Sequence, residues 1–351
     1  MVFLTSLTLP TFLLQHSDDP TATHEALCVI FRKAVRLQKL ILGTNLDIGE
    51  GIWQALAGLP VLVHLDIRSL ISRFSLTEKL SFSTTLVALR IEPPRLDYLL
   101  TAFQHSSFPF LQEINCIIFR RQQANHAIVD RFIKAVAKSC SANALRKFHL
   151  RCSDYWSSAD EHELADAVGS KALSHLFCMH DMREFYVDVG WTWDLGDEFI
   201  RDLSQAWPEL TWLHLDPRGR WMYPLRITFH GLQSLATYCP RLIRLGIIFD
   251  TSPLDMPPLL LPPPAERCML YELNVGPCKL ESPGSFARFL SRIFPCLSSI
   301  MFYQYDWDKN ALEPRDIQQW YQADFILRDM VMRVTDDSVD SLAEVVTHTH
   351  L

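Results

Sequence analysis

The densest group of side chains able to hold a metal is His175, Cys178, His180 and Asp181. Imidazole, thiolate and carboxylate are the usual ligands of zinc, but zinc sites bring cysteines and histidines in close, characteristic pairs, and this spacing matches none of them. The segment reads instead as the approach to a strand. His162-Glu163 supplies the first two residues of a zinc-protease helix, yet no histidine follows at the required interval, so the pair reads as a solvated helix face. Gly-x-Ser-x-Gly, the phosphate-binding loop and Gly-x-Gly-x-x-Gly are all absent. Nine cysteines (28, 116, 140, 152, 178, 239, 268, 278 and 296) stand singly and are odd in number. That pattern favours small buried hydrophobes in a reducing compartment over a disulfide framework. His348 and His350 fall in a terminal tail. These residues predict no catalytic group, no metal and no cofactor.

Recognition chemistry is better represented. Large aromatics come in close pairs, Tyr155 with Trp156, Trp191 with Trp193, Trp221 with Tyr223, and Tyr305 with Trp307. Trp and Tyr are the residues most often found at interface hot spots. Tyr186, Asp188, Trp212 and Asp216 lie close by in sequence and extend the first three pairs into one candidate protein-binding rim. The competing reading is that long loops bury their own aromatics to stay ordered. The elements that carry these residues decide between the two.

Those elements announce themselves by repetition. An apolar string, Leu-x-x-Leu-x-Leu with conservative replacements, begins at Leu4, Leu37, Leu62, Leu86, Leu111, Leu145, Met182, Leu210, Leu242, Leu270 and Leu297. Successive copies start 24 to 37 residues apart. In a short strand alternate side chains share a face, so the second and third apolar positions enter one core together, and the first caps it. Between strings the apolar residues move to helical spacing, as at Val129, Phe132, Ile133 and Val136, or Phe286, Phe289, Leu290 and Ile293. Leu232, Leu235, Ala236 and Cys239 follow the same rule. Five strings are introduced by Pro-x-Leu, at Pro60, Pro109, Pro208, Pro240 and Pro295, where proline ends the helix and favours an extended path. The expected fold is α/β: a leucine-rich-repeat solenoid, or horseshoe, of about 11 repeats, with a parallel sheet on the concave side and helices on the convex side. It should span 1–305, with a proline-rich loop insertion at 252–264. Residues 306–351 should form a C-terminal helical cap, begun by Pro314 with Ile317, Trp320 and Tyr321, then a tail with a second helix near 337–346.

Strands with Pro-x-Leu approaches and irregular helical returns resemble the leucine-rich-repeat region of F-box proteins, especially the divergent sets of mushroom-forming fungi. The resemblance covers essentially the whole chain. It implies a non-catalytic module that recognises substrates for a ubiquitin ligase, with ligase components among its partners. No F-box-like leader precedes Leu4, so only substrate-type binding carries over, and the alternative is an orphan or structural repeat protein from an incomplete gene model. Leu4, Leu7 and Leu9 should then expose a core edge, or meet a partner there.

Composition narrows the partner. The net charge of −7 argues against nucleic acid, which needs a basic face. Nowhere do 18 apolar residues run together, and the N-terminus lacks a basic start, so neither a membrane span nor a signal peptide is expected. A cytoplasmic or nuclear location follows. The outward positions of the strands should include His64, Asp66, Arg68, Arg90, Glu92, Glu113, Asn115, Lys147, His149 and Arg151, then Glu184, Tyr186, Asp188, Trp212, His214, Asp216, Arg244 and Glu272. Mixed charge with aromatic inserts suits a protein surface.

Overall fold

A computed structural model describes residues 4–9, 20–43, 48–68, 76, 78–93, 95–118, 126–153, 167–252, 268–302 and 314–330. The chain divides into two compact units, Met1–Asp194 and Leu195–Leu351.

Among its described residues the first unit contributes seven strands to the large parallel sheet: β1 (Ser6–Leu9), β2 (Lys39–Leu42), β3 (His64–Ile67), β4 (Ala88–Ile91), β5 (Glu113–Ile118), β6 (Lys147–Cys152) and β7 (Glu184–Asp188). Each pairs in parallel with the next. The register aligns Leu7, Leu40, Leu65, Leu89, Ile114, Phe148 and Phe185 into one row. From Leu40 onward that row is completely buried. The second unit repeats the arrangement with β8 (Trp212–Leu215), β9 (Arg244–Ile247), β10 (Glu272–Val275) and β11 (Ser299–Phe302), aligning Leu213, Leu245, Leu273 and Ile300. All eleven strings therefore place their second and third apolar positions in a strand.

Helices return the chain in most of the connections: α1 (Pro20–Lys33), α2 (Glu50–Ala57), α3 (Leu96–Gln104), α4 (His126–Ser139) and α5 (Ser170–Ser174) in the first unit. The second unit has α6 (Asp197–Ala206), α7 (Phe229–Tyr238), α8 (Pro283–Ile293) and α9 (residues 314–330). The helical spacing predicted from sequence is the buried stripe. In α4 it is Val129, Phe132, Ile133 and Val136, and in α8 Phe286, Phe289, Leu290 and Ile293. Burying one such stripe of four large side chains contributes several kcal/mol, at about 2 kcal/mol each.

Proline does more at the strand approach than end a helix. In Phe108-Pro109-Phe110-Leu111, the Leu111 N–H donates to the Phe108 carbonyl at 3.4 Å. The same bond closes Trp207 to Leu210 (3.1 Å), Cys239 to Leu242 (3.1 Å) and Phe294 to Leu297 (3.0 Å). Proline thus occupies the second position of a four-residue turn, where its fixed φ is already correct. The residue before it is buried in each case and, at 207, 239 and 294, its own N–H makes the last helical bond. At the strand starts one carbonyl accepts two successive amides from the next strand: Gln38 and Lys39 on Thr5, Val63 and His64 on Gln38, Val87 and Ala88 on Val63, Gln112 and Glu113 on Val87. The pattern continues through Arg146 and Lys147 on Gln112, and Arg183 and Glu184 on Arg146. A recurring hydrogen-bond irregularity is the backbone counterpart of the recurring string.

The two ends are finished differently. At β1, Leu4 is 45% exposed and Leu7 and Leu9 are only half-buried. At β11, α9 covers the last strand: Trp320 is fully buried against Phe286 and Phe302, and its Nε1 donates to the Cys278 carbonyl at 2.8 Å. The Asp324 carboxylate accepts the Ile300 N–H at 2.8 Å, satisfying a donor that an edge strand would leave exposed. The proline-rich stretch 253–267 and the tail 331–351, with the second helix expected there, lie outside the described residues.

All nine cysteines are free. Burial pushes the thiols of Cys116, Cys140, Cys268 and Cys278 up to about 12, and that of Cys239 up as well. Cys178 and Cys296 are exposed. Iodoacetamide at about pH 8 should alkylate Cys178 and Cys296 in the native protein and reach the five buried thiols only after denaturation. Native labelling of Cys116 or Cys239 at the rate of Cys296 would contradict this packing.

Candidate functional site

The strand residues that alternate with the buried rows form the open face of the sheet. In the middle of the first unit, β5, β6 and β7 present nine of them in register. Glu113, Lys147 and Glu184 form the first row, Asn115, His149 and Tyr186 the second, and Ile117, Arg151 and Asp188 the third. Cross-strand neighbours on one face of a sheet lie within reach of each other's side chains, and these interact extensively. Lys147 Nζ meets Glu184 Oε1 at 2.8 Å, and His149 Nε2 meets Glu184 Oε2 at 3.1 Å. Arg151 donates from a terminal nitrogen to Asn115 Oδ1 at 3.2 Å. The Tyr186 hydroxyl donates to Asp188 Oδ2 at 3.1 Å, while the Tyr186 ring lies 5.6 Å from the His149 ring and 6.0 Å from the Arg151 guanidinium.

Toward the N-terminus the face carries ion pairs. Asp66 holds Arg68 at 2.9 Å and Arg90 at 3.8 Å, and Arg90 also pairs with Glu92. Asp66 and Glu184 hold the Arg68 and Lys147 cations above their ordinary pKa values by hydrogen bonding. Half-exposed pairs contribute little to stability, about 1 kcal/mol or less each. Their larger effect is to fix long side chains in one arrangement.

His149 behaves differently. Burial pushes its imidazole down, against the pull of Glu184, and Arg151 adds to the depression. In the unfolded chain a histidine titrates near pH ~6.5. Below that pH the unfolded chain takes up a proton that the fold resists, so this contribution to stability is complete above pH ~6.5 and is lost on acidification. His149→Gln should therefore flatten the loss of stability between pH ~7.5 and ~5.5, measured by chemical denaturation. An unchanged pH slope would show that His149 does not drive it.

The second unit buries part of its own open face. His214 is 3% exposed and Asp216 fully buried. Gly246, level with His214, leaves the room its imidazole occupies; a Cβ there would lie inside contact distance of the ring. Gly276, just past β10, lies equally tight against the Pro217 carbonyl and the Ile248 side chain. Asp216 takes a left-handed φ of 44°, tolerated by aspartate, and its carbonyl accepts from Gly219 N and from Trp221 Nε1. The loop after β8 is thereby folded back. Trp212 remains half-buried, with the Arg244 guanidinium 5.4 Å from its ring.

The expected aromatic rim divides accordingly. Trp191 and Trp193 are buried, with ring centroids 5.8 Å apart, in and beside a short strand (Thr192–Asp194) that pairs with Val168–Gly169. Trp221 is buried too, and Tyr223 is 71% exposed. Tyr155, Trp156, Tyr305 and Trp307 lie outside the described residues. Of the positions expected to face outward, Asp188, His214 and Asp216 are corrected to buried. The missed signal was glycine: Gly246 in a strand, at an outward position, marks close approach of another group.

His175 Nε2 is engaged by Asp130 of α4 at 3.1 Å, and the Cys178 thiol donates to the His175 carbonyl. Among the described residues no three His, Cys, Asp or Glu side chains converge as metal ligands, and no helix is long and apolar enough to cross a membrane.

No family model matches this chain. No curated protein is similar to it either. A functional reading rests on the chain's own geometry.

Proposed function

We propose that the chain is a non-catalytic protein-binding module, and that the open face of β3 to β7 receives the partner. The observation that carries the reading is the polar network on that face. Charged and aromatic side chains from five successive strands are mostly half-buried and held by one another, whereas in the second unit the equivalent positions His214, Asp216 and Asn274 are buried. A preorganised, mixed-charge surface with Tyr and Arg near its centre fits recognition of a folded protein surface. The resemblance to F-box repeats makes a ubiquitin-ligase substrate, or ligase components, the expected class of partner.

The test is affinity capture from native cells with three baits: the wild-type chain, an open-face variant (Arg90→Ala, Lys147→Ala, Tyr186→Ala) and a helix-face variant (Lys134→Ala, Lys138→Ala in α4). A stoichiometric protein partner should be lost with the first variant and kept with the second. Recovery of a ubiquitin-ligase adaptor in the same complex supports the ligase assignment. Equal capture by all three baits would overturn the binding-face reading.

A further inference from the structure

The outer face of α1 differs from those of the other helices. Leu27 and Phe31 turn into the core and are buried, and His24 and Cys28 turn toward Gly49 and Gly51 at the start of α2. The remaining face is exposed and carries Glu25, Ala26, Val29, Ile30 and Lys33. Val29 is 46% and Ile30 48% exposed, and among the described residues no other helix exposes a large aliphatic side chain to this degree. Exposed aliphatics scattered singly are ordinary, whereas two side by side on one helix face make a patch that association would bury.

The charges around that patch have an order. Glu25, Val29 and Lys33 recur at intervals of four, so they form one ridge along the helix. The two charged residues stand about 12 Å apart at ~1.5 Å per residue, too far to pair with each other. Read along the helix, the ridge is acid, apolar, base, and it is complementary to its own reverse. Laid antiparallel on a second copy with Val29 against Val29, Glu25 of each chain meets Lys33 of the other, and Ile30 flanks the crossing. Parallel pairing would set like charge against like. We infer that α1 is a self-association surface, through which two copies of this chain pair antiparallel along Glu25, Val29 and Lys33. Such a two-fold contact uses the same patch on both partners. It lies on the helices and does not depend on the open sheet face.

One helix pair buries less than the ~1,200 Å² of a stable interface, so the dimer is a weak one, with a Kd of about 100 µM. Sedimentation velocity of the full chain from about 5 to 500 µM at low ionic strength, where exposed charges are least screened, tests it. The wild-type chain should dimerise reversibly. Val29→Asp, Glu25→Lys and Lys33→Glu should each weaken association at least about tenfold, with circular dichroism unchanged. Mixing the Glu25→Lys and Lys33→Glu chains should restore the dimer, because every crossing pair is then again acid against base, and the chain carrying both reversals should dimerise by itself. A wild-type chain that stays monomeric throughout, its Val29 and Ile30 covered by its own residues 10–19 or by a different protein, would overturn the inference. So would a dimer insensitive to either single reversal, or a mixture that fails to recover.

Discussion

Trp193→Ala should lower the unfolding free energy of the first unit by about 3 to 5 kcal/mol, the cost of emptying a large, fully packed aromatic site. The indole is 2% exposed, sits beside Trp191, and belongs to a three-residue strand that has only Val168–Gly169 as its partner within this unit. Guanidinium denaturation followed by far-UV circular dichroism measures the loss. A hot-spot tryptophan predicts the opposite result, a near-normal midpoint with partner capture abolished. A cost below about 1 kcal/mol would return Trp193 to the list of binding candidates.

Gly276→Ala is the second large effect. The added methyl would sit inside contact distance of the Pro217 carbonyl oxygen and of two carbons of the Ile248 side chain. A carbonyl held in a folded loop cannot step aside as a side-chain tip can. Overpacking of this kind costs about 3 kcal/mol or more. At Gly246→Ala the three nearest atoms all belong to the His214 side chain and none to the backbone, so its cost should be smaller. The pair of midpoints, from the same denaturation experiment, checks the ordering. If Gly276→Ala proved the milder of the two, the loop after β8 would have to lie further from the sheet than described.

The periodic parts of this fold were legible because they are dictated by one local rule. A leucine string places two side chains on one face of any short strand, and eleven strings did so. The stripes of α4 and α8 followed from 3.6-residue spacing for the same reason. The four-residue Pro turn was half-visible: proline predicts a break, but the closing bond from Leu to the buried residue before proline is a tertiary outcome. Which open-face residues are accessible was not legible at all. Arg151 and Asp188 occupy adjacent positions in register, yet one is half-buried and the other buried. His214 is covered because a glycine stands 32 residues away in the chain, a contact no single-strand pattern encodes. Trp191 and Trp221 look alike in sequence to exposed anchors, since an indole serves a loop core and an interface by the same apolar surface.

The locally closed turn and the doubled amide bond also sort where the chain tolerates a change of length. Each strand start resets its own alignment, so spacings of 24 to 37 residues between strings coexist with the same register in each ladder. Lengthening a returning arc costs little, about 0.6 kcal/mol for each doubling of a flexible loop. A single residue inserted between the proline and the second apolar position has the opposite consequence: it turns the buried row outward and the charged row inward. Insertions and deletions are therefore absorbed in the arcs and rejected in the short stretch from turn to strand. That makes the arcs the natural places to splice in a reporter or an epitope without disturbing the face that carries Arg151.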